Sequence, residues 1–147
     1  MITIRKAETT EEIGEAIDLQ LRVFAHEQGI PEDACIEGND ESVHLLAQED
    51  DATVATARLR QLGDGEAEVA RVAVLRPFRG SGIGKQLLVQ LEAVARESDV
   101  QYLVLHPHAR LESFYESLGY AKTDDATYDI GEHAIITMRK SLAGAKT

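Results

Sequence analysis

The sequence predicts an α+β domain with a mostly antiparallel sheet and helices on both faces. Three observations predict this class. Short apolar and β-branched runs alternate with two segments whose apolar residues recur at helical spacing. Turns rich in glycine and acidic residues separate these runs. A length of 147 residues suits one domain with its own core. We assign residues 1–142 to this domain and residues 143–147 to a frayed tail.

The first half of the chain predicts four strands and one helix. Residues 3–7 form a strand, and a helix follows to about His26. Thr9 or Thr10 caps this helix, with Glu12 placed for a capping box. Residues 29–42 are polar, contain glycine and proline, and predict a loop. The other strands span residues 43–48, 53–60 and 66–75, and an acidic turn joins the first two into a hairpin.

The second half begins with a glycine-rich loop and a helix from Gly82 to about Ser98. Ile83, Leu87 and Leu91 belong to the apolar face of that helix. Residues 100–106 predict a buried strand, and residues 109–119 a short helix that ends at Gly119. Residues 120–125 and 134–140 predict the last strands.

Charge and composition exclude several functions. The net charge is −11, which argues against nucleic acid as a partner, because such a surface needs a basic footprint. Apolar runs fall short of the roughly 20 residues that cross a bilayer, and the N-terminus lacks a signal-peptide pattern, so we expect a cytoplasmic protein without a membrane partner. The single Cys35 cannot form an internal disulfide and is expected to be inert.

The glycine-rich loop "RGSGIGK", residues 79–85, lies in the one basic island of this acidic chain. Residues 71–85 contain Arg71, Arg76, Arg79 and Lys85 and no acid, so this window carries +4 and the remainder −15. A strand, a glycine loop and a helix N-terminus together favour binding of a compact anion. The spacing matches neither the ATP-type phosphate loop nor the dinucleotide fingerprint. A tight turn without a ligand is the structural alternative.

The stretch "VAVLRPFRGSGIGKQLL" resembles the acetyl-CoA-binding motif of the GNAT superfamily of acyltransferases. The family pattern [QR]-x-x-G-x-[GA] is matched from Arg79 to Gly84. The preceding "RVAVL", the later "FYESLGY" and the element order extend the resemblance over essentially the whole chain. It implies a GNAT-like fold, in which a mixed sheet has splayed fourth and fifth strands.

The resemblance also implies how the cofactor is held. Loop amides bind the pyrophosphate of CoA, and pantetheine lies between the splayed strands. The thioester carbonyl then meets a backbone N–H near Val74, as a small oxyanion site. The implied cofactor residues are Val72, Ala73, Val74, Arg79, Gly80, Ser81, Gly82, Ile83, Gly84 and Lys85.

The resemblance places Tyr115 near the CoA sulfur, as the general acid that protonates the leaving thiolate. The alternative is that Tyr115 only packs in the core. The base that deprotonates the amine stays open among Glu68, Glu27 and His44. His106 ends the fifth strand, where it contacts substrate or only caps the strand, and His133 lies near the last hairpin.

The N-terminal half is similar to a poorly characterised GNAT subgroup and faintly similar to acyl-homoserine-lactone synthases. The matching polar positions are Arg22, Glu27, Asp40, His44, Arg58 and Arg60. As a set they predict an acceptor site, and the two strand arginines would suit a carboxylate or phosphate. Each residue is also explained as an ordinary surface charge. His106 and His108 have no third ligand in the pattern, so no metal is expected.

These features predict an N-acetyltransferase. It would move an acetyl group directly from acetyl-CoA to a primary amine of a small polar acceptor. Two alternatives remain: an acyltransferase that uses a longer acyl-CoA or acyl carrier protein, and a CoA-binding regulatory module without catalysis. A homodimer is compatible with the resemblance.

Overall fold

A computed structural model describes residues 1–123, 127–130 and 133–142 of the chain. Seven strands form the main sheet and two short strands form a separate hairpin. In chain order the strands are β1 Ile2–Lys6, β2 Ser42–Glu49, β3 Ala52–Gly63, β4 Glu66–Val74, β5 Tyr102–Leu105, β6 Ala121–Lys122, β7 Tyr128–Ile130, β8 His133–Ile135 and β9 Met138–Ser141.

The helices pack on both faces of this sheet, as predicted. They are α1 Thr10–Gln20, which continues as a π-helical segment over Leu21–Glu27, then α2 Glu32–Ile36, α3 Ile83–Glu97 and α4 Glu112–Glu116. Short 3-10 turns occupy Asn39–Glu41, Arg76–Phe78 and Ala109–Leu111. None of the helices in the described ranges combines the length and apolar character needed to span a membrane.

The main sheet has the order β1-β2-β3-β4-β5-β9-β6, and β7 pairs with β8. All paired strands are antiparallel except β4 and β5. A parallel pair requires a crossover connection, and here α3 supplies it. The mixed, mostly antiparallel α+β sheet that the sequence predicts is confirmed.

Strand alternation separates an apolar face of the sheet from a polar one. On the α3 face, Leu59 and Val69 pack in one core cluster with Leu87 of the helix. Residues of the opposite face, which α1 and α2 cover, alternate with these in the same strands. His44 of β2 is opposite Arg58 of β3, whereas Arg60 is opposite Glu68 of β4. The polar face therefore carries the charged residues that define the site.

The predicted start of α1 is confirmed. Thr9 Oγ1 accepts a hydrogen bond from Glu12 N at 3.1 Å, and Glu12 Oε1 accepts one from Thr9 N at 3.2 Å. This capping box satisfies two donors that a helix N-terminus otherwise leaves unpaired.

Two parts of the chain differ from the predicted elements. The expected loop at residues 29–42 contains α2, whose five residues are too few for a periodic signal. Residues 134–140, predicted as one strand, are divided between β8 and β9 because the chain changes sheet at Ile136 and Thr137. Of the predicted strand at residues 120–125, only β6 is seen; residues 124–125 and the tail 143–147 lie outside the described residues.

Candidate active site

The site begins where β4 and β5 part. The two strands pair from Glu66 opposite Tyr102 to Val69 opposite Leu105, and no further. On its other edge, β4 stays paired with β3 as far as Val74 opposite Ala55. Residues 70–74 therefore present an unpaired backbone edge toward the diverging β5.

A β-bulge at Arg71 marks the parting point. Arg71 has φ +52°, in the left-handed region that costs a non-glycine residue about 1–2 kcal/mol. Its Nε donates to Cys35 O and its Nη2 to Ala34 O, both at 2.7 Å. The same residue that bends β4 therefore holds α2 against the polar face of the sheet.

A cleft of about 160 Å³ opens beside the parted strands. Residues from α2, the π-helical segment, α4 and the β7–β8 hairpin complete its walls. The lining residues are Phe24, Ile30, Ala34, Cys35, Glu68, Val69, Ala70, Arg71, Val72, Leu105, His106, Pro107, His108, Leu111, Tyr115, Ile130 and Ile135.

The glycine loop lies between the end of β4 and the start of α3. Gly80 has φ +80° and Gly82, the N-cap of α3, has φ +88°. A Cβ added at Gly80, Gly82 or Gly84 would meet no heavy atom within 4 Å, so the space above the loop is open. The first N–H groups of a helix lack intrahelical partners, and the macrodipole adds positive potential. This loop fits a diphosphate. The Ile83 side chain is buried in the core, so only its backbone is available to a ligand.

Arg79 of the loop turns back toward the protein. Its Nε donates to Val74 O at 2.7 Å and its Nη2 to Glu27 Oε1 at 2.8 Å. Arg76 Nη2 lies 3.5 Å from Glu27 Oε2. The hydrogen bond from Arg79 lowers the pKa of the Glu27 carboxyl, which is therefore ionised at neutral pH. The structure thus brings Glu27, predicted for the acceptor or the base, to the glycine loop.

Tyr115 enters the cleft from the α3 face of the sheet. Its ring packs in the apolar core cluster, and the residue is only 6% exposed. Burial raises its pKa to about 12, so the phenol stays protonated throughout the neutral range. Its hydroxyl makes no hydrogen bond to any residue within the described ranges.

Glu68 and His106 lie at the cleft from the polar face. Glu68 Oε2 is 3.8 Å from His106 Nε2, while Glu68 Oε1 lies 3.4 Å from Arg60 Nη2 and 3.6 Å from Arg58 Nη2. His106 Nδ1 is 3.2 Å from Thr137 Oγ1, which orients the ring. The structure therefore brings two sequence-predicted residues together, with the carboxylate anchored on one side and a titratable imidazole on the other.

His44 and Arg58 are buried in a polar network beneath α1. His44 Nε2 donates to Asn39 O at 3.1 Å, and Gln20 Nε2 is 3.5 Å from His44 Nδ1. Arg58 donates to Asn39 Oδ1 at 2.8 Å and to Glu37 O. Burial lowers the pKa of His44 and keeps it neutral.

The other predicted acceptor residues are not among the cleft residues. Arg60 lies between Glu68 and Glu41. Arg22 and Asp40 are exposed. The cleft lining contains none of the five residues Arg22, Asp40, His44, Arg58 and Arg60. In the described part of the chain no group of three or more His, Cys, Asp or Glu side chains is placed to hold a metal.

Sequence reasoning missed the residues that shape the cleft. Arg71 was noted only as a charge, because a left-handed backbone at an arginine has no local signature. Ile30, Ile130 and Ile135 come from three distant segments and meet only in the fold. His108 stacks edge-on against His133 at 4.6 Å between ring centroids, and His133 donates to Gln28 O at 3.1 Å. The histidine spacing alone gave no indication of this pair.

A glycine-loop helix N-terminus beside a parted pair of parallel strands, with a carboxylate and a tyrosine in one cleft, defines an acyltransferase of the CoA-dependent class. The sequence profile described as the Acetyltransferase (GNAT) family matches residues 9–120. The chain belongs to this family and is an acyltransferase enzyme, so the resemblance noted in the sequence is confirmed.

Relatives and solved structures agree with this assignment. YjcF of Bacillus subtilis (strain 168), named an uncharacterized N-acetyltransferase, is 28% identical over 115 residues, which cover 78% of this chain and 81% of that protein. An acyl-CoA N-acyltransferase from Pseudomonas aeruginosa superposes with a TM-score of 0.81 at 26% identity, covering 96% of this chain and 99% of the other. The PaiA N-acetyltransferase of Thermoplasma acidophilum, solved in complex with coenzyme A, shares the fold at a TM-score of 0.72, 20% identity and coverage of 96% and 99%.

Proposed function

We propose that the protein transfers an acetyl group from acetyl-CoA directly to the primary amine of a small molecule. One observation carries this proposal. The gap between β4 and β5 has a diphosphate-sized glycine cradle at its end, with Glu68 and Tyr115 on its two sides. An acyl transfer to an amine needs a base for the nucleophile and an acid for the leaving group, on opposite sides of the reacting carbon.

The glycine cradle and the free edge of β4 are the proposed cofactor site. Acetyl-CoA supplies an activated acetyl thioester, and the coenzyme A complex of the Thermoplasma neighbour supports this choice. Backbone N–H groups of the loop from Arg79 to Lys85 bind the diphosphate, since those of a helix start lack other partners. The unpaired edge of Val72, Ala73 and Val74 binds the amides of the pantetheine arm.

Glu68, with His106 beside it, is the proposed base. Its carboxylate faces the cleft on the side where α2 leaves room for an acceptor, and Arg58 and Arg60 hold it ionised. A proton taken from the amine passes to Glu68 or, over 3.8 Å, to the His106 imidazole. Glu27 is paired with Arg79, and both ring nitrogens of His44 have protein partners, so neither is as well placed.

Tyr115 is the proposed acid. Its hydroxyl lies in the cleft without a protein partner, and burial keeps it protonated. Desolvation that raises the pKa of the phenol also makes a bare thiolate costly, so the transfer of the proton becomes favourable as the sulfur gains charge.

Transfer is proposed to be direct because the chain offers no suitable acyl carrier. Cys35 is its single cysteine and lines the cleft. Burial raises the pKa of this thiol, so the nucleophilic thiolate is scarce at neutral pH.

Arg58 and Arg60 are proposed to position Glu68, not to bind the acceptor. Both guanidinium groups approach the Glu68 carboxylate, and Arg58 is only 2% exposed. Arg22 and Glu27, in or next to the first helical segment, are proposed to act at the rim of the site.

Calorimetric titration with acetyl-CoA, followed by free-thiol release over a panel of amines, tests the proposal. We expect saturable binding and thiol release that depends on an amine. Binding without release from any amine would favour a regulatory module. Faster release from a longer acyl-CoA would identify a different donor.

A further inference from the structure

The cleft is more apolar than the polar residues of the sequence suggest. Twelve of its seventeen lining residues are apolar. On the polar face of the sheet, six of them form a continuous surface that we call the apolar wall: Phe24, Ile30, Ala34, Cys35, Ile130 and Ile135. They come from the π-helical segment, the stretch after it, α2 and the β7–β8 hairpin, none of which carries the glycine loop.

Charge on this side of the cleft is confined to one corner. Glu68 supplies the carboxylate, with His106 at 3.8 Å. Arg71 is the cation of the lining, but its Nε and Nη2 are both engaged by carbonyls of α2 at 2.7 Å. His108 packs edge-on against His133, and burial lowers its pKa, so it is neutral. The lining therefore attracts an ammonium at Glu68 and offers no free cation to an acidic group.

The size of the cleft agrees with a compact apolar group. Its volume of about 160 Å³ is close to the roughly 150 Å³ of an engineered apolar cavity that binds benzene. Burying a polar or charged group in such surroundings without a partner costs several kcal/mol, whereas burying methylene groups is favourable. The wall thus discriminates against a second charge on the acceptor.

We infer that the acceptor is a primary amine carried on an apolar arm, such as an alkylamine or arylalkylamine, without a carboxylate or a second ammonium group. The ammonium binds at Glu68 and His106, and the arm lies against the apolar wall. This inference rests on the proposed function. It replaces the polar or anionic acceptor that Arg58 and Arg60 suggested, because those arginines are engaged with Glu68 and with backbone and amide oxygens.

Two pairs of matched amines test the inference, each compared by free-thiol release at saturating acetyl-CoA. Hexylamine and 1,6-diaminohexane differ only in a distal ammonium, and 2-phenylethylamine and phenylalanine only in a carboxylate. We expect kcat/KM to be at least tenfold higher for the first member of each pair. Equal rates, or a preference for the second member, would overturn the inference while leaving the acetyltransferase intact.

A charge placed in the wall should reverse the first preference. Ile130→Glu introduces a carboxylate at a residue that is already 36% exposed, so the fold should tolerate it. We expect 1,6-diaminohexane to gain at least tenfold relative to hexylamine. Val89→Glu, on α3 at a residue 54% exposed, adds the same charge away from the cleft and should leave the ratio unchanged. An unchanged ratio in Ile130→Glu would count against the wall as the binding surface of the arm.

A third comparison separates the acceptor from the acyl group. With one short amine fixed, hexanoyl-CoA replaces acetyl-CoA. Slower turnover is expected if the wall binds the amine; faster turnover would assign the wall to the acyl chain and overturn the inference. Failure of every amine to release thiol, with acetyl-CoA bound, would reject the proposed function and the inference together.

Discussion

The Glu27 carboxylate accepts a 2.8 Å hydrogen bond from Arg79, the first residue of the glycine loop. This contact joins the end of the first helical segment to the proposed diphosphate site. It also places a negative charge beside the residues that give the loop its positive potential, since Arg76 is 3.5 Å from the same carboxylate. The acceptor side and the cofactor side are therefore linked through one ion-paired residue.

Glu27→Gln should raise the affinity for acetyl-CoA about twofold to tenfold. The amide keeps an acceptor for Arg79, while loss of the charge leaves more positive potential for the phosphates. Titration calorimetry at low and high salt measures this, and the gain should shrink with salt because exposed charges are screened. Glu97→Gln, an equal charge change at the far end of α3, is the control. A weaker affinity in Glu27→Gln would contradict the electrostatic account.

Gly82→Glu should abolish acetyl-CoA binding and leave the fold intact. The substitution puts a carboxylate into the open space over the loop and a side chain at φ +88°, at a strain cost of about 1–2 kcal/mol. Calorimetry measures binding and circular dichroism measures the fold. Gly14→Glu, at a helical position of α1 with no heavy atom within 4 Å of an added Cβ, is the matched control. If Gly82→Glu binds normally, the loop is not the diphosphate site.

The local parts of this site were predictable from the sequence, and the parts built by distant contacts were not. The strand, loop and helix over residues 66–98 follow from short-range patterns and appear nearly at the predicted bounds. The parallel pairing of β4 with β5 came only from the family resemblance, because no local pattern specifies a crossover partner. Arg58 and Arg60 were expected on one face of a strand, but their partner Glu68 depends on the β3–β4 register.

Arg71 illustrates the limit most clearly. Its left-handed backbone is stabilised by hydrogen bonds to two carbonyls about 36 residues earlier in the chain. The short α2 that supplies those carbonyls is acidic and follows a proline, so its composition is typical of a loop. Neither half of this contact carries a signal of its own, and both shape the cleft.

Tyr115→Phe should lower turnover about 10²-fold or more with little change in acetyl-CoA affinity. A general acid contributes roughly 10² to 10⁴ in rate, and the substitution removes only the hydroxyl. Free-thiol release at saturating substrates measures turnover. Tyr120→Phe makes the same change in the ring packed against Tyr115 at 6.0 Å and outside the cleft lining, and should keep its rate. Unchanged turnover in Tyr115→Phe would remove the acid role.

Glu68→Gln should lower turnover by about 10²-fold while the acetyl-CoA affinity stays near that of the unaltered protein. The amide has a similar shape but cannot take a proton from the amine. Glu66→Gln changes the same charge two residues earlier in β4, where Glu66 pairs with Arg139 at 3.0 Å, and serves as the control. Thermal melting of both variants separates a loss of stability from a loss of chemistry. Equal turnover in the two variants would exclude Glu68 as the base.

Stability should fall at alkaline pH partly through Tyr115. Burial raises the pKa of this phenol from about 10 in the unfolded chain to about 12 in the fold. Above pH 10 the unfolded chain releases this proton first, so the free energy of unfolding falls as pH rises toward 12. For this group the loss is about 1.4 kcal/mol at pH 11. Urea unfolding at pH 9 and pH 11 measures the difference, and Tyr115→Phe should lose about that much less than the unaltered protein, because all other titrating groups are shared. An identical loss in both proteins would mean that the phenol ionises in the fold as easily as in the unfolded chain, and that the hydroxyl is in contact with water.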